Sequence, residues 1–347
     1  MKKRKSFEKQ RILVSFSIFL IMLIFLMSIQ PAISVSTYDL TVATDKQGYG
    51  LGENVYINGN LTLAFFETPI GDALVAVEVR DSADNPFVFR TRPTGIISAR
   101  SWPVNFTELY PSDSNGNPKY SFRKGQNLWI FVRVKNFNTT SAYDVIICIV
   151  LYDKNSVPIG AWYPSWGVID PNQAKTVLFL ATEIPDSASI GNATIYANAY
   201  SDFPKNGGFP YCPERSATFT ITDSTFSYSK TLTNNPMYVL NLDGAYDLSF
   251  KLPSYEARSD NYTIYVSSCP YYDGDVATNS VIFEIVLIGD INGDGVVDIF
   301  DAILLSAAFG STPSAPNWNS RADLNEDNIV DIFDAIVFSS HFGEGVA

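Results

Sequence analysis

From Thr37 to about Val286 the chain alternates apolar and polar residues with a period of two, in short runs broken by turn-forming residues. Asp39-Leu40-Thr41-Val42-Ala43 and Asn54-Val55-Tyr56-Ile57-Asn58 carry an apolar side chain at every second position, and residues 73–79 (ALVAVEV) and 127–134 (NLWIFVRV) do the same. Successive side chains on a strand point to opposite faces, so this pattern predicts strands buried on one side. Residues 145–151 (VIICIVL) are continuously apolar, which suits a central strand. Asp84-Asn85-Pro86, Ser114-Asn115-Gly116-Asn117-Pro118 and Asn206-Gly207-Gly208 supply turns between runs. No helical periodicity lasts beyond one turn here. The expected fold is mainly β, and aromatic residues at 14% agree with it.

Residues 1–11 (MKKRKSFEKQR) are basic and residues 12–29 (ILVSFSIFLIMLIFLMSI) are apolar. A basic start before an apolar run marks export. The run is longer than the ~7–15 residues of a signal core and close to the ~20 that span a bilayer. Two readings stay open: a signal peptide over 1–34 cleaved after the small residues Ala32-Ile33-Ser34, or membrane anchorage through residues 12–29. Both put the remainder outside, secreted or on the cell surface. Setting aside the six bases and one acid of residues 1–34, the chain's 24 basic and 36 acidic residues fall to 18 and 35. A surface that acidic repels phosphate backbones and argues against nucleic acid as a partner. Asn60, Asn105, Asn138, Asn192 and Asn261 begin N-x-[ST] sequons and are candidate glycan sites.

Catalytic chemistry has little to draw on. The one histidine, His341, excludes His-cluster metal sites. Glu78/Asp81 and Asp81/Asp84 are carboxylate pairs at strand ends and turns, where solvated acids are ordinary, so no catalytic residue is assigned and no enzyme is expected. Trp162, Tyr163 and Trp166 lie in GAWYPSWG and either pack on a sandwich or stack on sugar rings. Cys148, in the most apolar strand, reads as a buried free thiol. Cys212 and Cys269 both precede Pro near candidate hairpin ends, and an extracellular chain permits a disulfide between them.

The sharpest chemistry is C-terminal. Residues 290–301 read DINGDGVVDIFD and residues 323–334 read DLNEDNIVDIFD. A calcium loop of EF-hand type takes oxygens from positions 1, 3, 5, 7, 9 and 12 and turns sharply at position 6. In the first loop these are Asp290, Asn292, Asp294, the Val296 carbonyl, Asp298 and Asp301; in the second, Asp323, Asn325, Asp327, the Ile329 carbonyl, Asp331 and Asp334. The sixth residues are Gly295 and Asn328, the two residue types that best tolerate a left-handed backbone. Aligned without gaps, 289–310 and 322–343 agree at 13 of 22 positions, which is an internal duplication. Four carboxylates within twelve residues repel one another without a cation, so Ca²⁺ at two sites is expected. A short helix follows each loop, with Ile299, Phe300, Ile303 and Leu304, or Ile332, Phe333, Ile336 and Val337, on one face. Gly310 and Gly343 are the stops.

A calcium loop with an exit helix, twice over, resembles a type I dockerin, the module that binds cohesin. The resemblance implies a small α-helical calcium-binding domain over 289–347, with a cohesin-like or other surface protein as partner. Ile299-Phe300 and Ile332-Phe333 stand where such domains often carry small polar residues, which implies an apolar contact, with another protein or with the neighbouring sandwich. Elsewhere the likenesses are to Ig-like β-sandwiches. Asp45, Lys46, Tyr49, Gly52, Glu53 and Val55 resemble the opening of a macroglobulin-type domain, placed at 35–98. Residues 244–253 and 261–266 resemble its closing half, placed at 223–288 and possible as the completion of the first part. Residues 99–222 resemble a CARDB-type sandwich through 132–136, 170–174 and 190–196. Together these features imply an exported non-catalytic surface protein for adhesion or extracellular assembly. The alternative is a cohesin-recruited accessory of extracellular polysaccharide degradation, with glycans as possible ligands.

Overall fold

The computed structural model of the protein describes residues 37–95, 97–98, 100–223, 244–253, 261–325 and 327–345. The basic and apolar segments of residues 1–34 lie outside them; among the described residues no helix is long and apolar enough to cross a membrane. Strands make up 49% of the described residues and helices 9%, so the described part is mainly β, with two helices at its C-terminal end.

Seven strands come first: β1 (Tyr38–Leu40), β2 (Ala43–Thr44), β3 (Gly48–Tyr49), β4 (Asn54–Leu63), β5 (Thr68–Pro69), β6 (Ala73–Arg80) and β7 (Pro86–Thr94). Eight follow: β8 (Val104–Ser112), β9 (Ser121–Arg123), β10 (Asn127–Asn136), β11 (Tyr143–Tyr152), β12 (Pro158–Ile169), β13 (Ala174–Glu183), β14 (Gly191–Tyr200) and β15 (Arg215–Thr222). The last are β16 (Ala245–Lys251), β17 (Asn261–Ser268) and β18 (Ala277–Ile285), before helices α1 (Ile299–Ala308) and α2 (Ile332–His341).

In one sandwich β4 lies between β1 and β16, facing a sheet ordered β3-β18-β17-β6-β7. Val55 is opposite Phe250 and Ile57 opposite Leu248, while Ile264 of β17 is opposite Val79 of β6. Strands from 38–94 and from 245–285 therefore share both sheets. Their inward side chains, among them Tyr49, Val55, Ile57, Phe250 and Phe283, form one core. The other sandwich stacks β13-β10-β8 on β12-β11-β14-β15-β9 around Phe122, Ile130, Val132, Ile147 and Ile195.

Residues 73–79 depart from the expected one-sided burial: all eight residues of β6 are buried. β6 is paired on both edges, and the second sandwich covers its outer face. Ala76 and Phe89 pack there against Ile146, Cys148 and Tyr200. Polar groups bind this junction too. Arg90 forks onto Glu214 at 2.9 and 2.7 Å, Asn198 Nδ2 donates to the Phe89 carbonyl at 3.0 Å, and Tyr200 Oη donates to the Arg90 carbonyl at 2.8 Å. Burial alone would raise the Glu214 pKa, but the Arg90 guanidinium holds it below the ordinary value.

The disulfide permitted between Cys212 and Cys269 is not formed. All three thiols are free and buried. Cys212 lies in the second core, where burial pushes its thiol up to about 12. Cys269 Sγ faces Asp273 Oδ1 at 3.8 Å.

Candidate metal centre

The two acidic loops fold in the same way. Asp290 Oδ1 accepts from the amides of Gly293 (2.7 Å) and Asp294 (3.1 Å), and its Oδ2 from Gly295 (2.9 Å). Asn292 Oδ1 accepts from Asp294 N at 2.8 Å and Asp294 Oδ1 from Val296 N at 3.1 Å. In the second loop Asp323 accepts from Asp327 N and Asn328 N, Asn325 Oδ1 from Asp327 N, and Asp327 Oδ1 from Ile329 N. Short polar side chains that accept from amides ahead of them wind the backbone into a tight spiral. The spiral turns at position six, where Gly295 has φ 87° and Asn328 φ 68°.

Each loop ends by capping its helix. Asp298 Oδ1 accepts from Phe300 N at 2.7 Å, and Asp331 Oδ1 from Phe333 N at 2.8 Å. Asp301 is fully buried; Oδ1 accepts from Ile291 N (2.8 Å) and Asn292 N (2.9 Å), and Oδ2 from Asp298 N (2.9 Å). Asp334 repeats this with Leu324 N, Asn325 N and Asp331 N. The position-twelve carboxylates thus tie the start of each loop to the start of its helix.

The halves are also tied to each other, by residues that the ligand pattern does not single out. Val297 N donates to the Glu344 carbonyl (2.8 Å), and Gly343 N donates to the Val297 carbonyl (2.8 Å). Thirty-three residues away, Val330 N donates to the Ser311 carbonyl (3.0 Å) and Gly310 N to the Val330 carbonyl (2.7 Å). Each loop therefore pairs with the chain just beyond the other half's helix, a reciprocal exchange. The one available signal was that Val297 and Val330 are identical in the duplicated alignment. A small core of Leu287, Ile291, Val297, Leu305, Val330 and Phe338 lies between the halves, and Leu51 of the first sandwich packs against it.

Of the two apolar contacts open to Ile299-Phe300 and Ile332-Phe333, with another protein or with the neighbouring sandwich, the second does not cover them. Ile299, Phe300 and Ile303 on α1, and Ile332, Phe333 and Ile336 on α2, are each 56–61% exposed. The sandwich meets the module through Leu51 instead.

As donors, carboxylates, amide oxygens and carbonyls suit a hard cation such as calcium. Among the described residues, however, no three acidic, His or Cys side chains stand close enough together to hold a metal as they are placed. The backbone spirals are formed, and their carboxylates are turned to the loop amides.

This segment matches the dockerin type I domain over residues 288–341. Dockerin domains of this type bind calcium, and they bind cohesins. The matched dockerin segment contains both loops and both helices. No curated protein matches the chain. Among solved structures, the C-terminal domain of Wzt is 10% identical, with 39% of this chain and 86% of that one covered at a TM-score of 0.30. A β-glucosidase from Listeria innocua in complex with isofagomine is 17% identical over 34% of this chain and 16% of that one, at 0.23. Trypsin-activated alpha-2-macroglobulin from Escherichia coli is 10% identical over 72% of this chain and 22% of that one, at 0.22. This chain spans less than a quarter of the length of the last two, and likenesses so slight carry no functional weight.

The remaining candidates are dispersed. Glu78 is sealed between Arg80 and Lys205 N, Asp81 accepts from Asn85, and Asp84 is engaged by Lys205. Trp162 packs towards the second core, whereas Tyr163 and Trp166 are about half exposed. Of the sequons, Asn138 has its side chain committed to Thr140, Ser141 and Tyr143, while Asn60, Asn192 and Asn261 are exposed. His341 Nδ1 lies 3.0 Å from Glu344 Oε2.

Proposed function

We propose that this is an exported, non-catalytic surface protein, in which a joined pair of Ig-like sandwiches presents a calcium-loaded dockerin domain to a cohesin-type partner for extracellular assembly. The observation that carries this reading is the pair of apolar triads. A small domain gains from burying large apolar side chains, yet six of them face solvent, three on each helix, at equivalent positions of the repeat. Contiguous exposed apolar surface marks an interaction site. Its partner would be an apolar protein face, as the sequence resemblance implies.

Calcium would be held by Asp290, Asn292, Asp294, the Val296 carbonyl, Asp298 and Asp301, and in the second loop by Asp323, Asn325, Asp327, the Ile329 carbonyl, Asp331 and Asp334. Its charge would draw these side chains inward on loops whose backbone is already wound. Glu78, Asp81 and Asp84, the carboxylates weighed for glycosidase chemistry, are each committed to a neighbour, so those pairs lend a catalytic reading no support.

The test is capture by the full chain from its native envelope in millimolar calcium, with release by a chelator. A cohesin-type module should be retained, and Phe300→Ser with Phe333→Ser should abolish retention. Capture that ignores both chelation and the double substitution refutes the reading.

A further inference from the structure

β12 is the edge strand of its sheet, and its register against β11 slips in the middle. Trp162 is opposite Ile149 and Ser165 opposite Ile147, so Tyr163 and Pro164 together face Cys148. Such a bulge re-aims side chains and recurs beside functional sites. Here it sends Trp162 towards Phe179 and the second core, and turns Tyr163 to the same outer side as Trp166. Both rings lean on Phe203, at centroid distances of 5.0 and 6.0 Å and near right angles. Yet Tyr163 is 49% and Trp166 53% exposed.

The support beneath them is fixed in advance. Phe203 is buried, with the Arg80 guanidinium 4.8 Å over its ring. Arg80 is pinned by the fully buried Glu78, whose second oxygen accepts from Lys205 N at 2.9 Å. Lys205 borders both this platform and an open cleft of about 420 Å³ lined by Asn206, Tyr265, Thr278 and Ser280.

We propose that Tyr163, Trp166 and the cleft beyond Lys205 form a binding surface for a neutral polysaccharide chain. Sugar rings would stack on the two polar-tipped aromatics, and their hydroxyls would meet Lys205, Asp84 and the hydroxyl-lined cleft. Charge selects the neutral class. Arg80 is matched by Glu78 and Lys205 by Asp84, so no net positive charge is offered, and the chain as a whole is acidic. Polyanions are therefore disfavoured. The ready-made platform lowers the ordering cost of binding. This inference rests on the exported reading but not on the dockerin domain, and it needs no calcium.

The test is affinity electrophoresis of the full chain through hydroxyethylcellulose, xylan, galactomannan and amylopectin, with polygalacturonate as the anionic control. Each gel is run with calcium and with a chelator. At least one neutral polymer should retard the chain equally in both conditions, and polygalacturonate should not. Trp166→Ala and Tyr163→Ala should each weaken retardation about tenfold, while Phe65→Ala, also exposed, should not. An unchanged urea midpoint shows that the variants are folded. No retardation by any neutral polymer overturns the proposal, as does retardation indifferent to both substitutions. Failure of cohesin capture alone does not touch it.

Discussion

Asp301 makes the dockerin domain's stability open to direct measurement. Its carboxylate accepts the amides of Ile291, Asn292 and Asp298 and is fully buried. Asp301→Ala removes both oxygens and so the acceptor of all three amides. A buried amide left unpaired costs about 1–3 kcal/mol, and water relieves part of that where it has access. Ile291 is buried, Asn292 is exposed and Asp298 is half-buried. Roughly 2 kcal/mol for the first and 1–2 kcal/mol for the other two together gives about 3–4 kcal/mol. A core this small supplies only about 3–5 kcal/mol in all. Local opening should then become more than 100-fold easier, taking about 1.4 kcal/mol per decade. Hydrogen exchange of the full chain, followed by mass spectrometry in saturating calcium, reads this on peptides from 287–298. The sandwich strands serve as internal reference. Because Gly343 N donates to the Val297 carbonyl, protection should fall near the C-terminal end as well. Asp301→Asn keeps one carbonyl acceptor and should lose only about tenfold, roughly 1.4 kcal/mol. If Asp301→Ala keeps its protection within about threefold, roughly 0.65 kcal/mol, the carboxylate does not hold the loop and the argument fails.

Three further outcomes are expected. Glu214's pKa is depressed in the folded state, so its contribution is complete above the unfolded carboxyl's value of about 4.3 and is lost as pH falls through the lower folded value. Glu78, raised chiefly by burial, works in the opposite sense, so the assay is the difference in urea midpoint between wild type and Glu214→Gln, which should shrink towards pH 3. Gly59→Ala would place a Cβ 2.0 Å from the Thr41 carbonyl and 2.5 Å from Tyr246 Oη, disrupting the bond between those two; a loss of about 2–4 kcal/mol with unchanged m-value is expected in urea unfolding. Excising residues 100–222 and bridging with a short flexible linker should leave one cooperatively unfolding sandwich, since both its sheets are built outside that stretch; a non-cooperative product refutes this.

Local rules made much of this protein legible. A period of two places the side chains of β4 and β10 alternately in and out, and that depends only on the geometry of an extended chain. The acidic loops are local in the same sense. Asp290 reaches the amides of Gly293, Asp294 and Gly295, all within five residues, so twelve letters specify the spiral. Gly310 and Gly343 take the left-handed backbone, φ 77° and 89°, one residue past the caps Phe309 and Phe342, but their amides are spent on the remote carbonyls of Val330 and Val297.

What tertiary structure decided lies where the partner is remote. Nothing in ALVAVEV announces that β6 is covered on both faces, because the covering residues Ile146, Cys148 and Tyr200 are some seventy to one hundred and twenty positions away. The same distance hides why Glu78 is buried: Arg80 is two residues away, but the Lys205 amide that donates to its other oxygen is 127 residues away. The exchange between Val297 and Glu344 depends on how the two halves dock, and the exposure of Ile299, Phe300, Ile332 and Phe333 depends on which helix faces that docking leaves over. Trp162, Tyr163 and Trp166 show the division most closely. Their letters announce aromatic side chains at a strand; only the bulge opposite Cys148 decides that one enters the core and two face solvent, since strand register is set by pairing and not by the strand itself.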